Sequence, residues 1–114
     1  MTEFKNNYEK SNDKKILFID KIIKSSMADD DTKGDIVFGC ILDSEKDGFK
    51  EITLDFTEIE LVNTAFLNNA IGNLFDTNKF DINKCKILVK GMDETMMDLL
   101  QETIRVARQK FVKL

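Results

Sequence analysis

Glu51-Ile52-Thr53-Leu54-Asp55-Phe56 and, after a six-residue bridge, Asn63-Thr64-Ala65-Phe66-Leu67-Asn68-Asn69-Ala70-Ile71 carry the folding signal that decides the class of this chain. Ile52, Leu54 and Phe56 alternate with Glu51, Thr53 and Asp55, the period-two pattern of a strand with one apolar face. Past the bridge the period changes. Phe66, Leu67, Ala70, Ile71, Leu74 and Phe75 recur at helical spacing and form a stripe wide enough to bury against a sheet. Asn63 or Thr64 stands where a short side-chain oxygen can accept from an unpaired N–H of the first helical turn.

Working outward, the segments on both sides repeat the alternation of strand and helix. Ile16-Leu17-Phe18-Ile19 and Lys21-Ile22-Ile23-Lys24 read as a strand, and the pattern is also compatible with a short helix. Ser25 to Asp31 is a loop. Thr32 with Asp35 imitates a capping box, and Ile36, Val37, Cys40 and Ile41 then share one helical face. Beyond the turn-rich connector 76–83, Lys84 to Gly91 is another strand. Asp93 caps the last helix, whose buried stripe is Met96, Met97, Leu100, Ile104, Ala107 and Phe111. Glu94 suits its positive end, and Arg105, Arg108 and Lys110 suit its negative end.

The expected architecture is therefore α/β, in the order β-α-β-α-β-α, with three or four strands in a largely parallel or mixed sheet. Right-handed crossovers lay the helices over the sheet. A sheet this small has one face only partly covered, which matters for partners. Residues 1–14 are polar and aperiodic and read as a flexible N-terminal segment; residues 15–114 read as one domain.

Composition narrows the chemistry. The 114 residues are 42% hydrophobic and 33% charged, with 17 basic and 21 acidic side chains and a net charge of -4, a globular balance in one domain. No histidine is present, which removes His-based triads and metal cages. No proline is present either, so proline-rich recognition segments are excluded. The acidic balance speaks against nucleic acid as a partner, since that binding leans on Lys and Arg at phosphates. No apolar run approaches the roughly 18 residues of a membrane span, and the polar start shows no signal peptide. Two cysteines make no disulfide framework and fit a reducing compartment, so a cytoplasmic location is expected.

Motifs for catalysis are lacking: there is no G-x-S-x-G elbow, no Walker loop and no G-x-G-x-x-G cradle. Cys40 and Cys85 sit in apolar stretches, where a buried thiol is the expected role. Asp29-Asp30-Asp31 lacks the spaced order of a calcium loop and reads as a solvated run favouring the next helix N-terminus. No metal or cofactor is expected. Asp55, at the carboxyl end of its strand, either faces away from the apolar side or points into a ligand edge, as open α/β sheets place ligands there.

The stretch Ile52 to Asn68, ITLDFTEIELVNTAFLN, resembles the bacterial STAS-like family of uncharacterised domains, over roughly residues 34–110. That family is distantly similar to the STAS domains of anti-sigma-factor antagonists, in which a strand leads to an Asp-Ser-Ser-Gly helix start. The resemblance implies that the helix beginning near Asn63 presents its N-terminus to a GHKL-type, histidine-kinase-like ATPase. By position Asn63 falls at the acid, Thr64 at the first serine and Ala65 at the serine that is phosphorylated; Phe66 stands in place of the glycine. Ala65 has no hydroxyl. Thr64 is then the phosphorylation candidate, with the acceptor shifted by one residue, about 100° around the helix.

The leading expectation is a non-enzymatic regulatory module that docks a signalling protein through Glu58, Glu60, Asn63, Thr64, Ala65, Asn68 and Asn69. One alternative is a small-ligand-binding protein or enzyme using the strand-end edge near Asp55. Another is a self-associating, homo-oligomeric subunit using the Met96/Met97 end of the last helix or an exposed sheet edge.

Overall fold

A computed structural model describes residues 13–111. In chain order the elements are β1 (Lys14–Phe18), α1 (Ile19–Ile23), β2 (Met27–Ala28), α2 (Asp31–Lys46), β3 (Glu51–Asp55), β4 (Leu61–Val62), α3 (Thr64–Ala70), a 3-10 turn (Gly72–Phe75), β5 (Lys86–Lys90) and α4 (Glu94–Phe111). The expected flexible segment lies outside the described residues through position 12; its last residue, Lys14, already belongs to β1.

β1, β3 and β5 form a parallel sheet with β3 at the centre. Lys15, Ile52 and Ile87 stand side by side, as do Leu17, Leu54 and Val89 two positions further on. A separate pair of two-residue strands, β2 and β4, is also parallel and joins Met27 to Leu61 and Ala28 to Val62. The strand order runs one way across the main sheet. Right-handed crossovers made repeatedly in one direction put their helices on the same face. Burial agrees: Leu17, Ile52 and Leu54 are buried, whereas Ile16, Phe18 and Leu88, on the opposite face, are exposed. The core lies between the sheet and the helices. Phe56 and Phe66 meet edge to face there, with ring centroids 6.2 Å apart.

Several local expectations shift for identifiable reasons. The apolar run after Phe18 does not extend the strand. Ile19 and Ile23, one helical turn apart, both enter the core, and Lys24 ends the turn at φ 57°. α2 starts at Asp31 because Asp30 is its cap, accepting from Lys33 N at 2.7 Å; the anticipated Thr32/Asp35 box is not used. α3 closes at Ala70 and its stripe continues through the 3-10 turn, which keeps Leu74 buried.

α4 carries the strongest amphipathic pattern and begins at the expected cap, where Asp93 Oδ1 accepts from Met96 N at 2.8 Å. Met96 is buried and Met97 half-buried against the core. The first turn of α4 thus folds these side chains inward. Among the described residues no helix is long and apolar enough to cross a membrane.

Candidate functional site

Asn63 organises the start of α3. Its Oδ1 accepts from Phe66 N at 3.0 Å, capping the helix, while its Nδ2 donates to the Asp29 carbonyl at 2.7 Å. One amide thus ties the first turn of α3 to the loop before α2. Asn69 makes the next tie, donating from Nδ2 to Asp35 Oδ1 at 2.9 Å. Between these ties Gly34 lets the two helices touch. A Cβ there would lie 2.6 Å from the Phe66 carbonyl oxygen and 2.9 Å from Asn69 Cβ. The acidic run is spent on the same junction. Asp30 caps α2, and Asp29 pairs with Lys33 Nζ at 2.8 Å, a hydrogen bond that holds its carboxyl below the usual range.

The seven residues expected at the contact surface consequently divide. Thr64, Ala65 and Asn68 are exposed. Asn63 and Asn69 are half-buried and serve the helix junction, so they position the surface more than they form it. Glu58 and Glu60 are exposed, but the intervening Ile59 is buried, and the two acids line different depressions. Glu60 borders a groove of about 250 Å³ with Leu61, Asp93, Thr95 and Leu99.

Two exposed residues absent from the sequence reading are brought together by the short two-stranded sheet. Met27 and Leu61 face each other in register across β2 and β4, and are 36% and 41% exposed. Each precedes a buried apolar residue of the same strand, Ala28 or Val62. The signal that unites them is a pairing between segments 34 positions apart, which no local pattern carries.

At the carboxyl ends of the main strands lies a second feature, an open cleft of about 660 Å³ lined by Phe18, Asp20, Lys21, Asp55, Thr57, Glu58 and Lys90. Asp55 Oδ1 accepts from the Thr57 hydroxyl at 2.6 Å and from Thr57 N at 2.9 Å. Lys90 Nζ stands 3.8 Å from Oδ2. The Thr57 hydroxyl first, then its N–H and Lys90, hold the Asp55 carboxyl below its ordinary pKa despite burial. A carboxylate so stabilised stays ionised and is a weak base near neutrality. Its hydrogen bonds fix the turn after β3. Gly91 passes against that turn at φ 86°, and a Cβ on it would lie 2.5 Å from Thr57 N.

Cys85 is buried and Cys40 half-buried, both as free thiols. Burial raises both pKa values, with Asp43 adding to the effect at Cys40 and Glu45 at Cys85. Among the described residues no group of three or more Cys, Asp or Glu side chains is placed to hold a metal ion.

A family model described as a STAS-like domain of unknown function matches residues 33–97, more than half of the chain. The chain belongs to this STAS-like family. The STAS-like match opens in the first turn of α2 and closes in the first turn of α4, so it takes in the α2–α3 junction, the Thr64–Asn68 surface and Asp55. No curated protein and no solved structure matches the chain.

Proposed function

We propose that this STAS-like domain is a non-catalytic regulatory module that docks a signalling protein through the exposed side of the α3 start. Thr64, Ala65 and Asn68 are the centre of the proposed contact, and Glu58, Glu60, Asn63 and Asn69 complete it. The observation that supports this most directly is that α3 is locked to α2 through Gly34, Asn63 and Asn69 while Thr64, Ala65 and Asn68 stay exposed. A rigidly backed patch of that kind loses little conformational freedom when it binds.

The proposed partner is a histidine-kinase-like ATPase in the cytoplasm, and its choice rests on the likeness of STAS-like domains to anti-sigma-factor antagonists. Thr64 is the proposed phosphorylation site. A phosphate there places about two negative charges in the centre of the contact and would release a partner that is acidic or apolar at that point.

Titrating the full chain against such an ATPase from the same cell by calorimetry tests the reading. Thr64→Asp and Asn68→Lys are each expected to weaken binding about tenfold or more, as central interface changes do, with the unfolding midpoint unchanged. Equal affinity in both variants overturns the surface. Mass spectrometry after incubation with the ATPase and ATP tests the modification separately, and an absence of phosphate on Thr64 overturns that part.

A further inference from the structure

Charge is unevenly spread along this chain. Residues 51–78 include Glu51, Asp55, Glu58, Glu60 and Asp76 but no lysine or arginine, and residues 91–104 include Asp93, Glu94, Asp98 and Glu102, again with no base. β4 lies in the first of these stretches and the start of α4 in the second. The two meet at the groove of about 250 Å³. Its lining is apolar at Leu61, Val62, Met96 and Leu99, and its charged residues are Glu60 and Asp93 alone. Glu94 and Asp98, exposed in the first turns of α4, add to the negative field beside it.

The bases that border these stretches are engaged elsewhere. Lys33, near Met27, donates from Nζ to the Met27 carbonyl at 2.9 Å and to Asp29 Oδ1 at 2.8 Å. Lys90 stands at Asp55 in the neighbouring cleft, and Arg105 is bound by Glu102. The dipole of α4 puts about half a positive charge at its start, which the full charges of Asp93, Glu94 and Glu60 outweigh. Asp93 keeps its charge while it caps the helix through Met96 N. The apolar part of the groove is anchored as well: Val62 and Met96 are buried, whereas Leu61 remains open to water beside Met27.

We infer that the groove between β4 and the start of α4 docks a basic segment of a protein partner, one bulky aliphatic side chain of which is flanked by Lys or Arg. The aliphatic group covers Leu61 and Leu99, and the bases meet Glu60 on the β4 side and Asp93 on the α4 side. Complementary charge of this kind speeds encounter and fixes register, while the apolar contact holds the complex. Size favours a side chain over a metabolite, since small-molecule sites run to about 300–1,000 Å³. Nucleic acid and anionic lipid are repelled by the same carboxylates. A second copy of this chain is a poor occupant, because a two-fold contact lays Glu60 and Asp93 against acids of the same patch. The groove shares Glu60 with the α3 contact and does not rest on that reading.

The test is a titration of the isotope-labelled full chain, followed by NMR, with a synthetic peptide of about nine residues, about 30 Å if extended, that has one central Leu with Lys and Arg on both sides. Saturable binding is expected, with amide shifts centred on residues 60–62 and 93–99, and added salt should weaken it. Glu60→Lys should lower the affinity about fivefold or more, and Leu61→Ser about threefold or more. Both side chains are exposed, and either variant alone decides the matter should the other fail to fold. Exchanging the central Leu of the peptide for Ser should cost about fivefold. The inference is overturned by a lack of saturable binding, by shifts that map elsewhere, or by unchanged affinity in Glu60→Lys. Equal binding of the Ser peptide, which would leave charge attraction without a groove, overturns it too. So do nuclear Overhauser contacts from Phe4 or Tyr8 to Leu61 in the free chain, since they would make residues 1–12 the occupant. None of these readouts involves the ATPase, so the α3 contact stands or falls separately.

Discussion

Leu54 and Thr53 are neighbours on the same central strand and lie in different worlds. Leu54, with Ile52 and Leu17, is sealed beneath helices, whereas Thr53 sits between Ile16 and Leu88 on a face that water reaches. Alternation separates the two faces on β3, but the outer strands carry branched aliphatic side chains on both: Ile16 and Leu88 on one, Leu17, Ile87 and Val89 on the other. The order of the strands decides which face is covered. A parallel sheet whose crossovers all step in one direction receives all its helices on one side, while a reversal of order would have covered both. The exposed isoleucine and leucine of the open face are thus a consequence of topology and not a defect of patterning.

The largest effect that would break this comparison is at Leu54. Leu54→Ala should cost about 3–4 kcal/mol in urea unfolding, as a fully buried leucine does when the site cannot collapse. Ile16→Ala, on the open face, should cost less than about 1 kcal/mol, and equal losses would mean that the two faces are equally buried.

Gly34→Ala probes how tightly the covering helices are joined. The new methyl would meet the Phe66 carbonyl, and the separation of α2 from α3 should cost about 2 kcal/mol, within the range of overpacked cores. A neutral result would show that the junction has slack.

Asp55→Asn is the smaller and more diagnostic change. The Thr57 hydroxyl and N–H stabilise the charged form, so the folded pKa lies below the unfolded one. Stability from this group is present above the unfolded pKa, near pH 3.9, and is lost as pH falls through the folded value. The variant should be about 1 kcal/mol less stable at pH 7, with the difference shrinking below about pH 4. A difference that persists at pH 3 would place the role of Asp55 in packing instead of charge.

Much of this organisation was legible beforehand because it is periodic. β3, the stripe of α3, the capped start of α4 and the incomplete cover of a small sheet all follow from spacing and length. The Asp-Asp-Asp run was read correctly as serving the following helix, although the cap is Asp30 and the box at Thr32 is unused. What escaped was short or distant. β2 and β4 are two residues each, below the length at which alternation can be seen, and their pairing alone brings Met27 beside Leu61. The exposure of Thr64, Ala65 and Asn68 was legible because residues at the start of a helix are placed by the helical period. The ties that Asn63 and Asn69 make were not legible, since their partners Asp29 and Asp35 lie 34 residues away in sequence.

By itself, the amino-acid sequence determined the class of fold, the cap of α4 and that of α3 to within one residue, the absence of histidine chemistry and the stripes that became the core. Those properties depend on composition and on spacings within one element, which the chain carries locally. Only the tertiary structure decided which asparagines lock helices and which stand free, that Asp55 anchors a turn against Gly91, and which face of the sheet lies open. Each of these depends on segments remote in sequence meeting in one register, and a crossover direction or a 34-residue hydrogen bond leaves no trace in any single segment.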